Sequence, residues 1–402
     1  MEDMSAEEID AMLAQADVRN LDVVVQKTDG SIKKVALTKE KIKTESNMIK
    51  SYVVDSNPKI GYIALPGFYV DADNKNGLGC ANDVAKEIIR LKAEGIQGLV
   101  FDVRYNGGGA MREAQDLSGL FINEGPLFSI KDQNKTPILM KDLNRGTLFE
   151  GPMVVLVNGQ SASASEIFAS TLQDYNRAVL VGSTTYGKAT GQSTHPIGVA
   201  LDDPEANSRT HFNSGGVSVT RLKIYRLTGK SNQQVGLSPD ISMPDLFEKL
   251  HVGERHYANA LSKDETSKKP LFNALPTLPL TKLRESAYTR QQGHPAFIKL
   301  KDLIVQTPIL LSKEKVVPVS LTLESMYPLV QEYKSWIASM ATLSQTTPKV
   351  FTIHATTVDT QMAKLDIRYD EVQKQVIDDL ERDLFIQESC HILLDLIKFT
   401  AK

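Results

Sequence analysis

The sequence predicts a layered α/β core followed by a mainly helical C-terminal region. Four short apolar runs read as buried strands, at 60–65, 98–103, 153–157 and 178–181. Stretches with helical spacing, such as 81–93, separate these runs. Strands and helices that alternate along a chain favour a layered α/β arrangement. Beyond residue 245 the helical spacing dominates, for example at 371–380 and 390–399.

The composition excludes several classes of protein. The chain has 402 residues, with 46 basic and 49 acidic side chains, so no basic field would attract nucleic acid or anionic lipid. Its two cysteines, Cys80 and Cys390, lie too far apart in the sequence for a metal-binding cluster, while a disulfide between them stays open. No segment is typical of a transmembrane helix, and residues 1–10 lack the features of a signal peptide.

Ser163 is the candidate nucleophile. It lies in Ser161-Ala-Ser-Ala-Ser-Glu166, between the predicted strand 153–157 and a stretch of helical spacing at 166–175. The first N–H groups of a helix have no intrahelical partner and favour a nearby anion, so a nucleophile at this turn gains part of an oxyanion hole. A serine at such a turn is more often a simple N-cap, and Ser163 alone does not establish catalysis.

Lys188 is the candidate general base. It lies in Thr185-Tyr-Gly-Lys-Ala-Thr190, on a loop where a surface lysine would be ordinary. With a reference pKa of about 10.4, only about one lysine in a few thousand is neutral at pH 7, so a lysine base needs a pKa lowered by burial. Such a lysine also needs a polar neighbour to orient it. Gln192 and Thr190 are the candidates, because both share its face if the segment is extended.

Six segments, taken together, resemble the ordered motif series of the tail-specific, or C-terminal processing, proteases. They are 60–69, 101–109, 161–168, 172–175, 186–188 and 235–240. The resemblance implies a Ser/Lys dyad with members 25 positions apart, as Ser163 and Lys188 are, with Gln192 supporting the lysine. It also implies an oxyanion hole formed by the N–H groups of Gly109 and Ala164, and a core fold shared with the crotonases and the Clp-type protease subunits.

Two other chemical interpretations of these segments are less favoured. Residues 182–189 fit the phosphate-binding pattern G-x-x-x-x-G-K-[ST] except at Ala189, which lacks the hydroxyl that would hold magnesium. The glycines and proline in 190–198 also disfavour the helix that such a loop requires. A Ser-His hydrolase would use His195 or His211, but lone histidines on polar loops are more often solvated.

The sequence divides into three predicted parts. These are residues 1–45, 46–245 and 246–402. In the first part a short helix at 5–13 and strands at 21–27 and 33–37 resemble the closing elements of a PDZ domain. We expect most of that domain, including its peptide-binding groove, to be missing. The second part is the expected protease core. Asp174 lies in this part at a position that is characteristic of the family, and we interpret it as a structural residue.

The third part begins with a segment rich in lysine and proline at 262–280, which suggests a linker or an extended arm. Its remainder is predicted to be a helical domain. Packing on the core is the simplest interpretation of this domain, while self-association and the binding of an adaptor stay open.

These observations predict a serine endopeptidase that needs no metal or organic cofactor. The resemblance implies substrates that are unfolded or loosely folded proteins with apolar C-terminal tails, in the periplasm or cell envelope of a bacterium. The alternative is a catalytically inactive binding or scaffold protein on the same fold, because the PDZ part is incomplete.

Overall fold

The computed structural model describes residues 19–27, 29–39, 49–70, 78–132, 136–197, 215–250, 252–267, 269–311, 318, 320–364 and 367–401. The chain divides into two compact units, Met1–Met48 and Ile49–Lys402. The first contains an antiparallel hairpin of β1 (Asn20–Gln26) and β2 (Ile32–Thr38). Both strands predicted there are therefore confirmed, while the helix predicted at 5–13 lies outside the described residues. The divisions predicted near residues 45 and 245 stay predictions.

The second unit is built on a seven-stranded mixed sheet. In spatial order its strands are β12 (Ile241–Ser242), β9 (Val179–Gly182), β8 (Met153–Val157), β5 (Gly98–Asp102), β4 (Ile60–Ala64), β3 (Lys50–Asp55) and β13 (Thr352–Ala355). The strands from β12 to β4 are parallel to one another, whereas β3 and β13 pair antiparallel. The four strands predicted for the core are present, with ends that differ by at most one residue.

The strand that follows Lys188 belongs to a second, four-stranded antiparallel sheet. Its spatial order is β10 (Thr190–Pro196), β11 (Gly216–Tyr225), β6 (Gly125–Asp132) and β7 (Ile138–Asp142). Apolar and polar residues alternate at 217–226, a pattern that predicts β11 to within one residue, whereas β6 and β7 were not predicted. Because β10 begins two residues after Lys188, this sheet fixes one side of the lysine loop.

Helices cover the large sheet. They are α1 (Cys80–Ala93), α2 (Met111–Gly119), α3 (Ala164–Asp174), α4 (Leu280–Gly293), α5 (Pro295–Val305), α6 (Leu323–Thr346), α7 (Thr357–Ala363), α8 (Ile367–Arg382) and α9 (Leu384–Thr400). A short 3-10 turn lies at Glu254–His256. The segment 262–279 has no helix among its described residues, and the chain after it is mainly helical, as predicted. The exception to this helical pattern is strand β13, which pairs with β3 of the large sheet.

The two faces of the large sheet bury separate apolar cores. In β8, Val155 and Val157 point to one core, and Val154 and Leu156 to the other, since successive side chains of a strand alternate between faces. Residues of α1, α2 and α3 pack in the first core, and residues of α4, α5 and α9 in the second. Strands buried on both sides read as continuous apolar runs, which is why these were recognisable. The predicted layered α/β class is confirmed.

Both cysteines are buried and free. Cys80 lies in the core on the α1 side of the sheet, and Cys390 in the core on the α9 side. The disulfide that the sequence left open is therefore not formed.

Candidate active site

Ser163 lies at the turn between β8 and α3, as the sequence predicts. It is the N-cap of α3, and its backbone has φ 57° and ψ −113°. A positive φ is unfavourable for a residue with a Cβ, so neighbouring contacts must hold this conformation. One of them is the hydrogen bond that the Ser163 N–H donates to Glu166 Oε2 at 3.0 Å. The turn thus presents the serine at the positive end of a helix.

The two flanking serines fasten this turn to the loop that follows β5. Ser161 Oγ donates to the carbonyl of Val103 at 2.8 Å, and Ser165 Oγ donates to the carbonyl of Asn106 at 2.8 Å. The Ala162 N–H donates to the same Asn106 carbonyl at 2.9 Å. The serines of the Ser-Ala-Ser-Ala-Ser run therefore differ in role: the outer two bind the neighbouring loop and leave the middle one at the turn.

The glycine loop after β5 lies directly against Ser163. Gly108 has φ +100°, and a Cβ there would lie 2.8 Å from Ser163 Cβ and 2.9 Å from the Ala164 nitrogen. Gly109 has φ +142° and bridges to Phe68, whose carbonyl a Cβ would strike. Within the described part of the chain, neither the Gly109 N–H nor the Ala164 N–H donates a hydrogen bond. Both N–H groups named from the sequence are thus free to bind an oxyanion.

Glu166 connects the serine turn to the lysine loop. Its Oε2 accepts the Ser163 N–H at 3.0 Å and the Lys188 N–H at 2.8 Å. Its Oε1 accepts the Gly187 N–H at 3.0 Å and the Thr185 hydroxyl at 2.5 Å. The side chain is 2% exposed, and burial raises the pKa of Glu166 to about 7 although each of these hydrogen bonds lowers it. One carboxylate therefore fixes the positions of both loops.

Ser163 and Lys188 line the same small cavity. Apolar side chains from three elements close it, namely Phe128, Ile167 and Ile224. Lys188 is half-buried, and its Nζ makes no hydrogen bond or ion pair with any residue that the structure describes. The structure thus brings the two residues to one cavity without a hydrogen bond between their side chains. Catalytic hydrogen bonds are often long before a substrate binds.

Gln192 and Thr190 lie on β10, so the segment is extended from Thr190 onward, whereas Lys188 lies on the loop before the strand. Gln192 Nε2 donates to Thr190 Oγ1 at 2.9 Å and to Thr220 Oγ1 at 3.4 Å. The register with β11 shifts between Gly191 and Gln192, where Arg221 of β11 has no pairing residue. Neither hydrogen bond reaches Lys188, so the orienting role of Gln192 stays a prediction.

The less favoured alternatives find no support in this geometry. The chain after residues 182–189 forms β10 instead of the helix that a phosphate-binding loop needs. His195 lies at the far end of β10, opposite Val217, and lines neither cavity beside Lys188, while His211 lies outside the described residues. Asp174 accepts a hydrogen bond from Arg226 Nη2 at 2.5 Å, which agrees with a structural role.

A larger cavity opens on the other side of Lys188. Its volume is about 670 Å³, and Tyr105, Gln160, Tyr186, Lys188, Glu254 and Tyr257 are among the residues that line it. Glu254 was missed because no local pattern marks it. Glu166 ends the motif 161–166 but was not predicted to be a site residue. Its spacing from Ser163 is that of a capping box, which could have indicated its contact with the turn.

Two further searches concern metals and membranes. In the described ranges, no group of three or more His, Cys, Asp or Glu side chains is arranged to hold a metal ion. No helix in those ranges is both long and apolar enough to span a membrane.

Comparison with known proteins finds similarity to peptidases. Residues 59–243 match peptidase family S41. The chain is 32% identical over 237 residues to the tail-specific protease of Haemophilus influenzae, covering 59% of this chain and 32% of that protein. It is 33% identical over 165 residues to the carboxy-terminal-processing protease of Bartonella bacilliformis, covering 41% and 35% respectively. The chain thus spans about a third of the length of these curated relatives.

Among solved structures, the photosystem II D1 C-terminal processing protease is 25% identical, with a TM-score of 0.40. The alignment covers 57% of this chain and 56% of that one.

Proposed function

We propose that this chain, whose residues 59–243 match peptidase family S41, is a serine endopeptidase of the tail-specific type that works through Ser163 and Lys188. The observation that carries the proposal is the convergence of these residues on one cavity, with their backbones held by the single carboxylate of Glu166. The free N–H groups beside Ser163 add the second requirement of acyl transfer, a place for the oxyanion.

The proposed mechanism uses only groups of this chain. Neutral Lys188, oriented by Gln192, takes the proton from Ser163 Oγ as that oxygen bonds to a peptide carbonyl carbon. The carbonyl oxygen becomes an anion stabilised by the N–H groups of Gly109 and Ala164. When the tetrahedral intermediate collapses, the C–N bond breaks and Lys188 gives its proton to the leaving amine. Water then attacks the acyl-enzyme in the same way and restores Ser163.

The proposed substrates are unfolded or loosely folded proteins with apolar C-terminal tails. The names of the two relatives, tail-specific and carboxy-terminal-processing protease, support this choice. We place the activity in the periplasm or cell envelope, and we propose that residues 1–45 are a remnant of a PDZ domain with its connector. Self-association or adaptor binding through the C-terminal helices is a further part of this proposal.

The test is cleavage of an unfolded protein with an apolar C-terminal tail, followed by mass spectrometry. We expect fragments from the parent chain and none from Ser163→Ala or Lys188→Ala. Two matched controls should retain cleavage: Ser339→Ala on α6, and Lys86→Ala, which replaces an exposed lysine on α1. Circular dichroism of each variant would show that the fold is intact.

A different outcome would favour the alternative function. If the folded parent leaves the tail intact but binds it, and Ser163→Ala binds it equally well, the chain is a binding or scaffold protein on a peptidase fold. Cleavage that persists in Lys188→Ala would instead refute the lysine as the general base.

A further inference from the structure

The residues that line the large cavity beside Lys188 favour a positively charged ligand. Its walls include three tyrosines, Tyr105, Tyr186 and Tyr257, together with the carboxylate of Glu254. Among the described residues that line it, Lys188, the proposed base, is the only basic one. Faces of aromatic rings and a carboxylate both attract cations, so the remaining surface is complementary to a positively charged group.

Glu254 is held in place by the chain around the lysine loop. Its N–H donates to the carbonyl of Tyr186 at 3.0 Å, and its Oε1 accepts a hydrogen bond from Gln233 Nε2 at 3.1 Å. Gln233 in turn accepts the Ala189 N–H at 2.8 Å, one residue after Lys188. The acidic wall is therefore coupled to the loop that carries the proposed base.

The Glu254 carboxylate lacks a cationic partner. It is half-buried, and no basic group within the described residues lies at ion-pairing distance from it. Removing a carboxylate from water is unfavourable unless a counter-charge or hydrogen bonds compensate for the lost hydration. Here the Gln233 side-chain amide donates one hydrogen bond to Glu254. A ligand cation would supply the missing charge.

Glu254 lies outside residues 59–243, which match the family. The acidic wall is thus contributed by the chain that follows the shared domain.

We propose that this cavity is a substrate subsite that binds a lysine or arginine side chain close to the bond that is cleaved, with Glu254 as its specificity-determining residue. This inference rests on the proposed function.

The experiment uses one peptide with an apolar tail in which a single arginine is moved through each position around the cleavage site. Each arginine peptide is compared with its citrulline counterpart, which keeps the shape and loses the charge. For the parent we expect kcat/KM to be roughly tenfold higher with arginine at one position, the size expected for a hydrogen bond to a charged group.

Three variants separate the subsite from a structural effect. Glu254→Gln keeps an oxygen for Gln233 and should abolish the preference for arginine, while Glu254→Lys should create a preference for glutamate at the same position. Glu248→Gln, a nearby exposed carboxylate, should leave the preference unchanged. Equal rates for arginine and citrulline at every position, or a preference that survives in Glu254→Gln, would overturn the subsite while the endopeptidase proposal stands.

Binding provides a readout that does not depend on catalysis. Fluorescence anisotropy with the Ser163→Ala chain should show tighter binding of the arginine peptide than of the citrulline peptide, and Glu254→Gln in that background should remove the difference. If no peptide is cleaved and this difference is present, the endopeptidase proposal fails and the cation site remains. Equal binding of the two peptides would overturn the cation site.

Discussion

At the scale of single residues, the site depends on small groups that allow close approach of the backbone. Gly108 is the clearest case, since its φ of +100° and its contacts with Ser163 and Ala164 leave no room for a Cβ. Gly107, its neighbour, has no atom within 4 Å of the corresponding Cβ position and no positive φ. The two glycines therefore differ in what a methyl group would do.

We expect Gly108→Ala to lower kcat by about a hundredfold, because the added methyl displaces the loop that carries the Gly109 N–H, and losing one oxyanion donor has an effect of that order. Gly107→Ala is the matched control for kcat and should keep most of it; because Gly107 lines the proposed subsite, KM is not part of this comparison. Steady-state kinetics on a cleavable peptide measures both. Similar losses in the two variants would mean that the loop tolerates no side chain anywhere and that oxyanion geometry is not the cause.

Glu166 gives the protein a dependence of stability on pH. Its pKa in the folded state is about 7, above the ordinary 4.5, so folding favours the protonated form. The stability from this group is fully present below pH 4.5 and is lost as the pH rises to about 7. We expect Glu166→Gln, which cannot ionise, to gain stability relative to the parent over this range and to show a constant difference above it.

The measurement is urea unfolding of both proteins at several values of pH between 4.5 and 8.5. Comparing the two proteins removes the titrations that they share. A difference in the free energy of unfolding that does not change with pH would show that Glu166 keeps its ordinary pKa in the fold.

At the scale of elements, a buried ion pair connects α9 to the glycine loop. Arg104, two residues after β5, binds both oxygens of Asp383, at 3.2 Å through Nη1 and 2.9 Å through Nη2. It also binds Asp102 through Nε and Nη2. Asp383 is the N-cap of α9, where it accepts the N–H groups of Phe385 and Ile386. The C-terminal helix thereby supports the residue that precedes the loop of the proposed oxyanion hole.

We predict that Asp383→Ala lowers the free energy of unfolding by about 3 kcal/mol, because it leaves the buried Arg104 guanidinium without one of its carboxylates and removes a helix cap. Asp383→Asn should retain the cap and lose only the charge, with an intermediate effect. Chemical denaturation measures both. Asp378→Ala, which removes an exposed partner of Lys349 and Arg382, is the control and should change stability little.

The elements around Ser163 could be predicted because their sequence signals are local. Strands buried on both faces are short apolar runs, and the strand, turn and helix around the serine follow one another directly. Strand β6 of the second sheet and strand β13 of the large sheet could not be predicted in the same way. Strand β6 begins with Gly-Pro and has an irregular register near Pro126. Strand β13 has only four residues, and its pairing with β3 joins distant parts of the chain.

Within the site, too, residues marked by local motifs could be predicted, whereas contacts between separate loops could not. Ser163, Lys188, Gly109 and Ala164 were named from motifs in the sequence, and the structure brings their segments together. The contacts of Glu166 with the lysine loop and the place of Glu254 in the cavity wall depend on how separate loops meet. Local patterns carry no information about such contacts.

At the scale of the whole molecule, the C-terminal region completes the core of the second unit. Side chains of α9 such as Cys390, Ile392 and Leu393 are fully buried on the second face of the large sheet. A Cβ on Gly98 of β5 would lie 3.0 Å from Leu393, so the helix and the strand are in close contact. Without this region the second face of the sheet would be an extended apolar surface.

We therefore expect a chain that ends at residue 349 to be unfolded or aggregated, because it lacks β13 and α9 and exposes that face. A chain that begins at Ile49 should fold, since residues 49–402 form a compact unit with their own two cores. Thermal unfolding and limited proteolysis of the two truncated chains would test this. Cooperative unfolding of the chain that ends at residue 349 would contradict it.

The shared acceptor at Glu166 has a consequence for exchange with solvent. The amide hydrogens of Ser163, Gly187 and Lys188 all bond to this one carboxylate, and such hydrogens exchange when their hydrogen bonds open. A fluctuation that withdraws Glu166 releases all three in the same event. Deuterium should then enter the serine turn and the lysine loop at one common rate, so Ser163 and Lys188 lose and regain their positions together.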